Sequence, residues 1–176
     1  MRRNAILFYV LMTAAVFSLS RAEGSDERPV LKIQQGHTYE VVAVKFAPGG
    51  RILASVSGAS SVKLWDTVTG KQLRSFGKGD SYAAYSLAFS PDGLTVATGG
   101  DSGELCLYDT RTGRLKKEMK TGPGYGTLWD ICFLPDSRTV LVPAGNALEL
   151  WDIEADKKLR TIDAGSEPIV ACALSA

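Results

Sequence analysis

The 176-residue chain contains one histidine and three cysteines, and its formal net charge is only +1. With His37 as the sole imidazole, Ser-His-Asp or Cys-His catalysis would have to run through that one residue. Neither HExxH nor GxxxxGK[ST] occurs, which removes zincin and P-loop chemistry. Cys106, Cys132 and Cys172 form no CxxC and have no histidine nearby, so no zinc-ligand spacing exists. Each falls in a segment that reads as a strand, and the three are taken as small buried or half-buried side chains. An odd count leaves at least one thiol without a partner inside the chain. A near-zero net charge gives no bulk field toward nucleic acid or anionic membranes. Hydrophobic content of 45% and charged content of 22% are ordinary for one globular domain with a sizeable core.

Long apolar runs are confined to the start. Arg2 and Arg3 precede "AILFYVLMTAAVFSLS" (5–20), and Ser20 and Ala22 give a small-x-small pattern. This is the layout of a signal-peptide helix over 1–22, with cleavage after Ala22 and export to the periplasm or outside. The alternative is an uncleaved anchor that tethers the chain to a membrane. No cysteine lies near the cleavage point to carry a lipoprotein anchor. Cleavage removes three arginines and no acid, turning the net charge of +1 into −2. Residues 23–27 read as a linker.

From residue 36 the chain repeats itself. Gly36, Gly79, Gly122 and Gly165 recur every 43 residues, as do Trp65-Asp66, Tyr108-Asp109 and Trp151-Asp152. The turns "APGG" (47–50), "SPDG" (90–93) and "LPDS" (134–137) follow with a drift of one residue, and Trp151 restores the step. Each unit reads as four short strands. The first are 41–47, 85–90 and 128–134; the second are 51–56, 94–99 and 138–143. The third are 61–66, 104–109 and 147–152; the fourth are 71–76, 114–119 and 157–162. Proline followed by Asp-Gly suits a type I turn. The glycines of "TVTGK" and "TRTGR" suit a reversal that needs positive φ. The spacing therefore predicts an all-β fold, a partial β-propeller of four-stranded antiparallel blades.

The combination "GHT" (36–38), "FAPGG", "FSPDG", "VKLWD", "LYD" and "LELWD" resembles the WD-repeat family. The resemblance spans residues 28–176 and divides them into 36–78, 79–121 and 122–164 as complete repeats. Residues 165–176 match the opening strand of a fourth. Residues 28–35 match an outermost fourth strand, which in this family commonly completes the last blade. Propellers have 4–8 blades, and seven would take roughly 300 residues at this period. The chain is thus expected to be the N-terminal part of a larger ring. Its uncovered blade faces, with Val44, Phe46, Val62 and Leu64 on one, would favour self-association.

The resemblance also implies a hydrogen-bond network of His, Ser or Thr, Trp and Asp in each blade. Repeat one supplies His37, Ser55 and Trp65, but Ala59 stands at the Asp position. Repeat two has Asp80 for the His, with Thr98, Tyr108 and Ser102, and Asp101 one place early. Repeat three has Pro123, Val142 and Gly145 beside Trp151. No blade holds the full set, and His37 reads as structural. Asp66, Asp109 and Asp152 recur with the blade, so they read as turn-stabilising residues and not as an acid–base pair. "GPGYG" (122–126) precedes a strand, so no helix N-terminus awaits a phosphate.

One periodic feature points to binding. Tyr39, Tyr82 and Tyr125 share the 43-residue step in the loops leading into each first strand. They would gather at one mouth of the ring, with Glu40, Asp80, Asp101 and Glu167 adding acidity and favouring a basic or polar partner. The basic side chains of the fourth strands, such as Lys71, Arg74, Lys117 and Arg160, read as edge protection. No interleaved aromatics mark them as a nucleic-acid surface. The chain is expected to be a non-catalytic, exported platform for other proteins, without cofactor, metal, nucleic acid or membrane contact beyond the export signal. One alternative is the N-terminal part of an enzyme or ligand sensor whose active part lies elsewhere. Another is an unstable truncated product.

Overall fold

The computed structural model describes residues 36–79, 83–101, 103–121 and 127–173. The signal segment 1–22, the linker 23–27 and the outer strand 28–35 lie outside the described residues, as do Asp80, Tyr82, Ser102, Pro123, Tyr125 and 174–176. Among the described residues there is no helix.

Twelve strands form three four-stranded antiparallel sheets. The first holds β1 (Val41–Phe46), β2 (Ile52–Ser57), β3 (Ser61–Asp66) and β4 (Gln72–Gly77). The second holds β5 (Ala84–Phe89), β6 (Thr95–Gly100), β7 (Glu104–Asp109) and β8 (Leu115–Lys120). The third holds β9 (Cys132–Phe133), β10 (Thr139–Ala144), β11 (Ala147–Asp152) and β12 (Lys157–Asp163). Each sheet runs in chain order, so every connection is a hairpin. The reversals before the outer strands place Gly70 and Gly113 at φ 67° and 72°, and Asp156 takes the same place at φ 55°. Aspartate is one of the few side chains that tolerates this region.

Bulges recur at matching points, between Leu64 and Trp65, Leu107 and Tyr108, and Leu150 and Trp151. The inner strands carry another, at Val42 and at Tyr85. Bulges add local twist, and their repetition gives the sheets a common shape.

Alternation within each strand sends side chains to two faces. Between sheets one and two, Ala54, Val56, Val62 and Leu64 meet Leu87, Val96, Cys106 and Tyr108. Between sheets two and three, Ala97, Leu105 and Leu107 meet Leu128, Ile131, Val140 and Val142. Sheet two is thus buried on both faces, and every residue of β6 is buried. Each fully buried Val or Leu contributes about 1.5–3 kcal/mol. Val62 and Leu64 were expected on an uncovered face; they are 0% and 2% exposed. They alternate with Lys63 and Trp65, and it is the Trp65 face that turns away from sheet two. Val44 and Phe46, opposite Ser55 and Leu53 on that same face, are 54% and 64% exposed.

The inner strand of sheet three differs from its expected span, 128–134: only Cys132 and Phe133 pair with β10. The preceding segment bonds to sheet two instead. The Leu128 amide donates to the Gly100 carbonyl (2.9 Å), and the Ser86 hydroxyl donates to the Leu128 carbonyl (2.7 Å). Leu128 and Ile131 are 1% exposed in this arrangement. Gly99 makes the approach feasible, because a Cβ there would collide with the Ser86 hydroxyl and lie 2.6 Å from the Leu128 Cβ. Gly99→Ala is therefore expected to destabilise the protein by about 1–3 kcal/mol through overpacking. The urea midpoint reads this directly, and an unchanged midpoint would show that the segment can move aside.

Candidate functional site

The inner strands β1 and β5 lie side by side, with β9 next to β5. Their N-terminal ends share one end of the inner row and their C-terminal ends share the other. A cavity of about 350 Å³ opens at the C-terminal ends, lined by Lys45, Phe46, Phe89, Ile131 and Phe133 among others.

The repeat positions singled out in the sequence form three different arrangements. In sheet one, the Trp65 indole N–H donates to the Ser55 hydroxyl (2.8 Å), which lies 2.7 Å from His37 Nε2. With its proton on Nδ1, His37 accepts from Ser55 and the three groups form one relay. His37 Nδ1 is then a buried polar atom with no partner. Ala59, at the place of the family's Asp, offers no acceptor. Burial, with the Lys63 ammonium nearby, lowers His37 from 6.5 to about 4. It is neutral at physiological pH and fully engaged on its Nε2 side.

In sheet two, Thr98 Oγ1 and the Tyr108 hydroxyl are buried without hydrogen-bond partners. Burial, with Cys106 nearby, pushes the Tyr108 phenol well up. In sheet three, the buried Val142 has no hydroxyl to offer. The Trp151 indole donates instead to Glu149 Oε2 (2.8 Å), and Lys158 donates to Glu149 Oε1 (2.9 Å). The Lys158 ammonium also lies 5.9 Å from the Trp151 ring centroid. Glu149 was not singled out in the sequence. It stands at the repeat position of Lys63 in sheet one and Cys106 in sheet two, where Lys63 donates to Gln72 (3.0 Å). The signal available was a charged residue inside an apolar-alternating strand, in register with a lysine two repeats earlier.

The three periodic aspartates sit in the β3–β4, β7–β8 and β11–β12 turns. Asp66 Oδ1 accepts the amides of Val68 (3.0 Å) and Thr69 (2.8 Å). Asp109 Oδ1 accepts the Thr112 amide and hydroxyl, each at 2.7 Å. Asp152 accepts the amides of Glu154 and Ala155 and a two-pronged contact from Arg138, whose closest approach is 2.6 Å. The Arg138 guanidinium, followed by the Ala155 amide, holds the Asp152 carboxyl well below the usual carboxylate range. All three act on their own turns.

Of the expected binding rim, Tyr39 is 57% exposed and Glu40 is exposed beside it; Tyr82, Tyr125 and Asp80 are outside the described residues. At the N-terminal ends of the next two inner strands lies an aromatic pair not anticipated from the tyrosine step. The rings of Tyr85 and Trp129 have centroids 5.2 Å apart and are tilted by 51°, and Trp129 is 52% exposed. Tyr85 occupies the same inner-strand bulge as Val42. Trp129 is released to this end because Leu128, beside it, bonds to sheet two and not to β10. The bulge register could have located Tyr85; the loss of pairing before β9 has no sequence signature. Asp101 and Glu167, expected at this end, are exposed.

The buried His37 has a consequence for acid stability. An unfolded histidine takes up its proton near 6.5, whereas folded His37 resists until about 4. Between those values the unfolded chain binds more protons, so stability falls as the pH is lowered through the window. His37→Gln should flatten that slope between pH 6.5 and about 5, above the range where carboxylates dominate. Urea midpoints measured at several pH values test this; parallel slopes in both proteins would exclude His37 as the titrating group.

The description "WD domain, G-beta repeat" matches residues 28–66 and 70–109. Protein Mut11 of Chlamydomonas reinhardtii is 50% identical over 40 residues, which is 23% of this chain and 11% of that protein. The crystal structure of the RRP9 WD40 repeats and the structure of U3-55K each superpose with a TM-score of 0.68 at 14% identity. In both, 76% of this chain aligns with 42% of the solved one. The chain thus spans less than half the length of these relatives. The repeat matches, the three four-stranded sheets and the superposition agree: residues 28–66 and 70–109 match WD repeats, and the sheets have the fold of WD-repeat propeller blades.

Proposed function

We propose that this chain is a non-catalytic, exported protein-interaction platform that binds its partner through the end of the inner strands bearing Tyr39, Glu40, Tyr85 and Trp129. The exposed aromatic surface there carries the reading. Tyrosine and tryptophan are enriched at the anchoring centres of protein interfaces. Trp129 presents about half its surface to solvent while its ring is steadied by Tyr85 and the adjoining Leu128 backbone is held by sheet two. Such a side chain loses little conformational freedom on binding. WD-repeat proteins generally bind other proteins, which adds weight by family. The carboxylates of Glu40, Asp101 and Glu167 favour a partner segment with basic or polar character. Tyr82, Tyr125 and Asp80 join this surface in the proposal through their repeat positions alone. Occupation of His37 Nε2 by the Ser55 hydroxyl, itself held by the Trp65 indole, supports a scaffold role for His37.

Binding partners captured from the source cells and then purified would be titrated against Trp129→Ala and Tyr39→Ala variants. Loss of a central aromatic anchor costs about 2 kcal/mol or more, so Kd should rise roughly 30-fold. Unchanged affinities in variants with native circular dichroism would remove this surface from consideration.

The export component rests on the "RR", apolar and "SRA" segments of residues 2–22. The chain recovered from the envelope or medium of source cells should begin at Glu23 by N-terminal sequencing. Recovery of the Met1 end in the cytosol would refute export.

A further inference from the structure

The sequence places Cys132 and Cys172 in successive repeats with no motif to connect them. The fold brings them together. Cys132 lies on β9 opposite Leu141, on the face of sheet three turned away from sheet two. Residues 164–173 run past that face without regular strand structure and are mostly exposed. Their described backbone ties are few: the Ala164 amide to the Asn146 carbonyl (3.2 Å) and the Ile169 amide to the Gly145 carbonyl (2.9 Å). Cys172 is held on both sides of its side chain. Its amide donates to Asp130 Oδ2 (3.0 Å), and its carbonyl accepts the Cys132 S–H (3.1 Å). The two sulfur atoms lie 3.0 Å apart.

We propose that Cys132 and Cys172 are a redox-modifiable pair whose disulfide ties the segment after sheet three to the inner strand of that sheet. Only a small approach of the sulfurs separates the dithiol from bonding distance. The oxidant is a low-molecular-weight disulfide, RSSR. A thiolate of one cysteine attacks it, forming a mixed disulfide and releasing RS⁻. The thiolate of the second cysteine then attacks the protein-bound sulfur, forming the Cys132–Cys172 bond and releasing a second RS⁻. The two thiol protons end on the two RS⁻ groups, so two protein thiols are oxidised and one RSSR is reduced to two RSH. Burial, with Cys132 as its neighbour, pushes the Cys172 thiol up, so the exchange accelerates in mild alkali.

Asp130, Cys132 and Cys172 also present three donor atoms within 4.8 Å of one another. As a metal centre this set is poor. Asp130 Oδ2 already accepts the Cys172 amide, and Oδ1 faces the Lys45 ammonium at 3.9 Å. Three donors also fall short of the four that close a structural zinc site.

The test treats the full chain with oxidised glutathione at about pH 8.5, alkylates the remaining thiols and maps peptides by mass spectrometry. The expected product is a Cys132–Cys172 linked pair, lighter by about 2 Da than the dithiol, with the buried Cys106 recovered unlinked. Oxidation should raise Tm by about 5–10 °C, and reductant should reverse it. Cys132→Ser and Cys172→Ser should each abolish the shift, and Cys106→Ser should keep it. Separate alkylation of both cysteines after oxidant, or a linkage through Cys106, would overturn the proposal. So would protection of both thiols by zinc ions alone that is lost on adding a chelator.

Discussion

Burial of two apolar faces on each small sheet is the constraint from which the other features follow. A four-stranded sheet whose strands alternate residues such as Leu105 and Leu107 with Cys106 and Tyr108 places apolar groups on both sides. One sheet cannot cover itself, so the stable solution stacks sheets side by side with inner strands together. Sheet two is the completed case. Leu87, Val96 and Tyr108 face sheet one, while Ala97, Leu105 and Leu107 face sheet three. Val44 and Phe46 show what the same pattern leaves on a face with no neighbouring sheet among the described residues. The tight approach at Gly99 and the departure of residues 127–131 from their own sheet both serve the second of these interfaces.

The Trp position beside each interface is solved three ways. A serine hydroxyl accepts the indole proton of Trp65, a glutamate accepts that of Trp151, and Tyr108 replaces the indole altogether. The residue two positions before it changes in step: Lys63 bonds Gln72, Glu149 bonds Lys158, and Cys106 stands at the same place in sheet two. The geometry tolerates these exchanges because each pair spans the same two outer strands, at the same bulge. In sheets one and three the buried indole donor finds an acceptor, though a different residue provides it. His37, with one nitrogen satisfied and the other buried without a partner, and the Thr98 and Tyr108 hydroxyls are the counter-cases. Polar satisfaction in the repeat is therefore negotiated blade by blade, and the aspartate-capped turns, where each carboxylate accepts hydrogen bonds from the residues two or three places on, are the part that stays constant.

Much of the fold was legible because a repeat multiplies every weak local signal. Strands β1 to β8 and β10 to β12 lie within a residue or so of the segments marked by alternation, proline turns and glycines at positive φ. Short-range chemistry was legible for the same reason: Asp66 and Asp109 bond to amides two or three residues on, within reach of any sequence reading. The misreadings involve contacts between sheets. Val62 and Leu64 were placed on the wrong face because alternation states that two faces exist and not which neighbour each one meets. The stretch before β9 looks like a strand by composition, yet the amide and carbonyl of Leu128 pair with the preceding sheet.

The sequence by itself determined the repeat, the antiparallel hairpin order and the turn chemistry, since these depend on residues near one another along the chain. The family resemblance, read onto His37, Ser55 and Trp65, further implied that their network lacks the family's Asp, since Ala59 stands in its place. Only the tertiary structure decided which faces are covered, why Trp129 reaches solvent beside Tyr85, and that Cys172 comes within 3.0 Å of Cys132. Each of these depends on how one sheet packs on the next, and packing between distant segments is set by volume and hydrogen-bond competition that no local pattern records.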